Sequence, residues 1–114
     1  MRAIIGVVAV GALLASACGS STSPASSCGS SGANANVNTA SSNSFSPNTA
    51  TITHGQTVCW QNSSSVAHTV TDNGGAFDTS LPVGQIFLHT YPTAGTYAYH
   101  CRIHAGMTGS ITVN

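Results

Sequence analysis

Charge is what this sequence has least of. Its 114 residues include only two arginines and two aspartates, with no lysine and no glutamate. Neutralising a phosphate backbone takes clustered Lys and Arg, so nucleic acid is excluded as a partner. So few charges also exclude strong electrostatic steering of any partner. Met107 is the one methionine besides the initiator, and no His-x-His pair occurs. The one long apolar run, Ala3 to Ala17, is shorter than the roughly 20 residues a spanning helix needs. From Ala33 onward no stretch sustains a 3.6-residue apolar period, which excludes a helical domain.

What is present begins with that apolar run behind Met1-Arg2, the pattern of an export signal over residues 1–17. Two processing readings converge on one bond. Ala15-Ser16-Ala17 is an A-x-A cleavage site, and Leu14-Ala15-Ser16-Ala17-Cys18 resembles a bacterial lipobox with its leucine one residue early. Cys18 is therefore the lipidation candidate. Residues 18–32, nearly all Ser, Gly, Thr, Ala and Pro, read as a flexible tether, either a spacer from a membrane surface or a remnant of export sequence. The expected location is the bacterial periplasm or cell envelope, with membrane contact only through a lipid at Cys18.

Fewer than a hundred residues then remain, enough for one modest core. Four cysteines in an exported chain invite pairing. With Cys18 assigned to lipid and Cys101 to a metal, Cys28 and Cys59 are left as a disulfide candidate, the alternative being a free thiol at Cys59 on a strand.

Residues 33–114 alternate short β-prone runs with turn residues. Strands are expected at Thr49 to Thr53, Thr57 to Gln61, His68 to Thr71, Ile86 to Tyr91, Thr96 to Cys101 and Ser110 to Val113. Asp72-Asn73-Gly74-Gly75 is a strong turn between them. The fold class is all-β, a Greek-key β-sandwich of about seven or eight strands.

Cys101, His104 and Met107 follow one another at three-residue intervals in a Gly-bounded segment. A thiol, an imidazole and a thioether suit a soft ion, and two His with one Cys and a weak Met is the donor set of blue-copper electron-transfer centres. His68, at the start of its strand, is the best placed second histidine. If its strand runs antiparallel to the one ending at Cys101, both side chains reach the same end of the sandwich. Zinc fits less well, because structural zinc sites use Cys and His without Met. His54 in a turn, His89 on the face of Phe87 and Tyr91, and His100 pointing away from Cys101 are not ligand candidates.

The segments Phe45-Ser46-Pro47, Gly55 to Trp60, Ala67 to Val70, Ala94 to Tyr97 and Cys101 to Met107 resemble, in order, those of the cupredoxins. These are the small blue-copper proteins that include plastocyanin, pseudoazurin and amicyanin. The resemblance implies one type 1 copper ion on His68, Cys101, His104 and Met107, with no catalytic residues, and a ligand loop of the short amicyanin kind. One departure is Thr69, where many members have an asparagine that ties the ligand strands together; its hydroxyl can serve similarly. The implied function is a monomeric, non-enzymatic carrier of single electrons through Cu(II)/Cu(I). Redox proteins would dock near His104, against Ala67, Pro82, Val83, Ala105 and Gly106. The alternative is a copper storage or delivery module, which would favour Met-rich or His-rich tracts. An oxidase or reductase would need further domains and His-x-His pairs.

Overall fold

The computed structural model describes residues 27–40 and 42–114. The expected signal sequence, Cys18 and most of the tether lie outside them. Nine strands form two sheets: β1 (Ala35–Ala40), β2 (Ser44–Ser46), β3 (Thr49–Ile52), β4 (Thr57–Asn62), β5 (His68–Asp72), β6 (Asp78–Leu81), β7 (Ile86–Thr90), β8 (Gly95–His100) and β9 (Thr108–Val113). One sheet has the order β2-β1-β4-β7 and the other β3-β9-β8-β5-β6. The fold is a Greek-key β-sandwich in which the chain repeatedly crosses from sheet to sheet. The turn at His54-Gly55-Gln56 makes one such crossing, with Gly55 at φ +87°, a conformation that costs a glycine little.

Six strands fall where β-branched and aromatic residues alternate with polar ones. Three more, β1, β2 and β6, carry almost no such signal. In β1, Asn36 and Asn38 flank Val37, which is buried, and the strand is held by pairing on both sides. It lies parallel to β4 with Val37 opposite Trp60, and antiparallel to β2 with Thr39 opposite Phe45. In β6 only Leu81 is buried, and the strand borders β5 at the sheet edge.

The ordered fold also reaches back before Ala33. Cys28 lies in a single 3-10 turn, Cys28–Ser30, is buried, and forms a disulfide with Cys59 on β4. Its amide donates to Gln61 Oε1 at 2.8 Å. Residues 27–32, assigned to the tether by composition, are thereby fastened to the sandwich. Two local anchors outweigh the weak propensity of Ser and Gly.

The core between the sheets is strongly aromatic. Trp60 packs against Phe77, Phe87 and Tyr99 with ring centroids 5.4–5.8 Å apart, and Phe45 meets Tyr99 edge-on at 4.7 Å. Tyr99 lies across Gly109 on β9; a Cβ there would sit 2.5 Å from the ring, so only glycine admits it. The cluster runs on through Val70, Leu81 and Ile111 to Cys101 and Met107 at one end. No helix among the described residues is long and apolar enough to cross a membrane.

Candidate metal centre

The site forms at the end of the sandwich where β4 and β8 finish and β5, β7 and β9 begin. β5 and β8 pair antiparallel, with Thr71 opposite His100 and Asp72 opposite Tyr99. That register brings His68, first in β5, beside Cys101, which follows β8. The chain then turns through Gly106 at φ +80°. Two backbone bonds close the loop: Met107 N–H donates to His104 O at 3.3 Å and Cys101 N–H to Met107 O at 2.9 Å. Met107 is thus drawn back under Cys101 into the core, 2% exposed.

Three donor atoms converge. His68 Nδ1 and His104 Nδ1 are 3.2 Å apart, and Cys101 Sγ lies 3.9 Å from the first and 3.6 Å from the second. A first-row ion about 2.0 Å from nitrogen and about 2.3 Å from sulfur, with donors about 120° apart, would set nitrogen about 3.5 Å from nitrogen and about 3.7 Å from sulfur, within about 0.3 Å of each spacing here. The observed spacings therefore fit one ion at the centre. Cys101 is the free cysteine among the described residues and is buried. With a soft sulfur, two imidazoles and the thioether of Met107 on the same loop, the donor chemistry fits copper.

The surroundings suit a bound ion. Burial first, and then the neighbouring His104, hold the His68 pKa below its ordinary value, keeping the imidazole neutral as a ligand must be. The Thr69 amide donates to Cys101 Sγ at 3.3 Å, which fixes the sulfur against β5. The Thr69 hydroxyl accepts from Arg102 N–H at 2.8 Å, bridging the strand that carries one histidine and the loop that carries the cysteine. Thr69 thus makes the tie expected of it.

From Thr69 a ring of bonds runs outward and returns. The Thr71 hydroxyl donates to Asp78 Oδ1 at 2.8 Å, so at 3.0 Å from Thr69 it accepts that residue's proton. Asp78 Oδ1 in turn accepts from Arg102 Nε at 2.8 Å. The one arginine beyond the N-terminal segment therefore braces the loop from two sides.

The other histidines stand apart. His54 is exposed, His89 packs between Phe77 and Tyr91 at 4.6 Å from each ring, and His100 Nδ1 bonds Asn73 Oδ1 at 2.6 Å. Sequence reading passed over Asn62 and Ser64. The Ser64 amide donates to Asn62 Oδ1 at 2.9 Å, and Ser64 Oγ lies 2.9 Å from His68 Nε2. The available signal was an Asn two residues before a Ser, the Asx-turn pattern, with the histidine four residues further on.

The sequence matches the Cupredoxin-like domain over residues 6–113. It is 35% identical to the plastocyanin of Scenedesmus fuscus over 83 residues, covering 60% of this chain and 85% of that protein. It is 31% identical to the chloroplastic plastocyanin of Oryza sativa subsp. indica over 84 residues, 61% of this chain and 54% of the relative, so it spans about half of that relative's length. Among solved structures, a purple cupredoxin from Nitrosopumilus maritimus superimposes with a TM-score of 0.66 at 28% identity, covering 71% of this chain and all of that one. The reduced state of an amicyanin mutant gives 0.67 at 28% identity, covering 83% of this chain and 95% of that one. Cupredoxins are generally electron-transfer copper proteins. With a family match running almost from end to end, the chain belongs to the cupredoxin-like family.

Proposed function

We propose that the protein is a type 1 copper electron carrier, holding one copper ion on His68, Cys101, His104 and Met107 and passing single electrons between redox proteins of the cell envelope. The convergence of Cys101 Sγ with two imidazole nitrogens inside 3.9 Å carries this reading. Bound copper supplies the one-electron couple. The chain supplies the rest: His68 comes from a strand and Cys101 is sealed against β5. Met107 is clamped by the Cys101 backbone. A site so constrained changes little between oxidation states, which keeps reorganisation small. Four protein donors leave no position for a substrate, so the protein is not an enzyme on this reading.

Among the described residues, four large hydrophobic side chains are exposed, and three of them, Val66, Val83 and Ile103, lie on the three loops around the ligands. With exposed Ala67, Pro82, Ala105 and Gly106 they favour docking of a redox partner at this end, where half-buried His104 is the ligand nearest solvent. With scarcely any charge on the chain, apolar contact would drive that docking. Export through the signal at residues 1–17 and a lipid on Cys18 complete the proposal.

The visible absorption and EPR spectra of the Cu(II)-loaded protein test it. An intense thiolate charge-transfer band that bleaches reversibly with ascorbate and disappears in Cys101→Ser is expected. A colourless protein that nevertheless binds Cu(I) would overturn electron transfer in favour of storage or delivery.

A further inference from the structure

The second ring nitrogen of His68 has a partner that no ligand motif contains. Ser64 sits on the loop between β4 and β5, and its Oγ lies 2.9 Å from His68 Nε2, 2.7 Å from Asn62 Oδ1 and 3.0 Å from the Val66 carbonyl oxygen. Val66 N–H also approaches it, at 3.4 Å. A serine hydroxyl has one proton to give and two lone pairs to receive with. Which way that proton points decides the state of the histidine.

The orientation of Asn62 is settled by its neighbours. Asn62 Nδ2 faces two carbonyl oxygens, Val66 O and Leu81 O, each at 2.8 Å, and carbonyls only accept. Its other atom must then be the oxygen, and it receives the Ser64 amide at 2.9 Å and the Thr39 hydroxyl at 2.9 Å. Asn62 is 1% exposed, so this arrangement is locked inside the protein. Ser64 Oγ therefore has two oxygen acceptors within 3.0 Å. Were its proton turned toward His68 instead, two oxygen pairs would face each other at 2.7 and 3.0 Å with no hydrogen between them. The proton goes to Asn62 or Val66, and the oxygen lone pair left for His68 can only accept.

We propose that Ser64, held by Asn62, is a positioning residue that keeps the proton of His68 on Nε2 and so presents a bare Nδ1 to the metal. The proposal rests on His68 being a ligand. A histidine whose far nitrogen donates to a fixed acceptor has its tautomer and ring angle set before any ion arrives. The line of command runs from β1, through Thr39 and Asn62, to Ser64 and the imidazole. It joins one sheet to a ligand borne by the other.

The test is long-range 1H–15N NMR of the imidazoles in the metal-free protein, together with Cu(I) affinity measured by competition with a chelator. Wild type is expected to show His68 as the Nε2–H tautomer with slow exchange. Ser64→Ala should lose that slowly exchanging proton and bind copper about 10- to 100-fold more weakly, the usual cost of removing such a partner. Ser64→Thr, which keeps the hydroxyl, should restore both. A metal-free wild type with the proton on Nδ1, or a Ser64→Ala protein with unchanged affinity and unchanged His68 signals, would overturn the proposal. A wild type that shows the expected tautomer but never turns blue would instead overturn the electron-carrier reading, and the two failures are told apart.

Discussion

Trp60 and Asn62 stand two residues apart on β4, on the same inward face and all but sealed from solvent at 0% and 1% exposure, yet their surroundings are opposites. Asn62 meets five polar partners and leaves none of its hydrogen-bonding capacity idle. Trp60 has three aromatic rings around it, and its indole N–H, facing Tyr99, makes no hydrogen bond of good geometry. The hydroxyls of Tyr91 and Tyr99 are likewise buried without a well-formed hydrogen bond, and burial, offset only in part by the Trp60 indole, pushes the Tyr99 pKa up to about 12. The aromatic half of the core thus accepts unpaired polar atoms in exchange for apolar area. The metal end pairs its buried polar groups and gains fixed directions. Stability should reside chiefly in the first region, and the placement of ligands in the second.

The largest expected effect separates the two. Trp60→Ala removes the ring at the centre of the aromatic cluster and should cost about 3–5 kcal/mol. That is a large share of the stability of any small domain. Urea unfolding of the metal-free protein measures it. At low denaturant the folded fraction should still give the wild-type copper spectrum. A shifted spectrum would mean that the aromatic region also sets ligand geometry.

Next comes the disulfide, which closes a sequence separation of 31 residues. Replacing both Cys28 and Cys59 by Ser should cost about 2–4 kcal/mol, since the unfolded chain regains the freedom of that loop. Thermal unfolding should register the loss while the copper spectrum stays unchanged, because Cys59 adjoins Trp60 and not the ligands.

Thr69→Val reverses the balance. The valine keeps the shape but leaves Arg102 N–H without an acceptor and Thr71 without a donor, a loss of about 1–3 kcal/mol. The thiolate band should move, since the loop bearing Cys101 is then tied to β5 by one bond fewer. If stability fell but the band held its wavelength, the Cys101–Met107 backbone closure and the residue-69 amide on Cys101 Sγ would be enough to fix the loop.

The same contrast explains what could be read from the chain beforehand. The ligand loop was legible because Cys101, His104 and Met107 are local in sequence and chemically unusual. His68 followed because it opens a strand that, if antiparallel to the one before Cys101, carries it to the same end, and the two strands do pair antiparallel. Strands β3, β4, β5, β7, β8 and β9 were legible because their side chains supply the core. β1, β2 and β6 were not, since each offers one large buried apolar residue, Val37, Phe45 and Leu81, and is held in place by backbone pairing with a neighbour, which leaves no pattern in composition. Ser64 and Asn62 escaped for a related reason. A serine in a run of serines becomes informative only when the direction of its one proton is known, and that depends on carbonyls from Val66 and Leu81 that folding brings near.

The smallest effect tests the outermost link of the metal end. Asp78 and Arg102 each have half-exposed side chains, so solvent weakens their pairing and the bond should matter more for loop geometry than for stability. The Arg102 guanidinium and then the Thr71 hydroxyl hold the Asp78 carboxyl below its ordinary value of 3.8. A depressed carboxyl means that the unfolded chain takes up its proton first. The contribution of this group is therefore fully present above about pH 4 and is lost as pH falls through 3.8 toward the folded-state value. Thermal midpoints of the metal-free protein between about pH 5 and about pH 2.5 should decline less steeply in Asp78→Asn than in wild type, by a difference smaller than any of the three effects above. If the two curves ran parallel, the ring from Thr69 through Thr71 and Asp78 to Arg102 would be open in solution. Of that ring, the bond between Thr69 and the Arg102 amide would then be left to brace the ligand loop, beside the loop's own backbone closure.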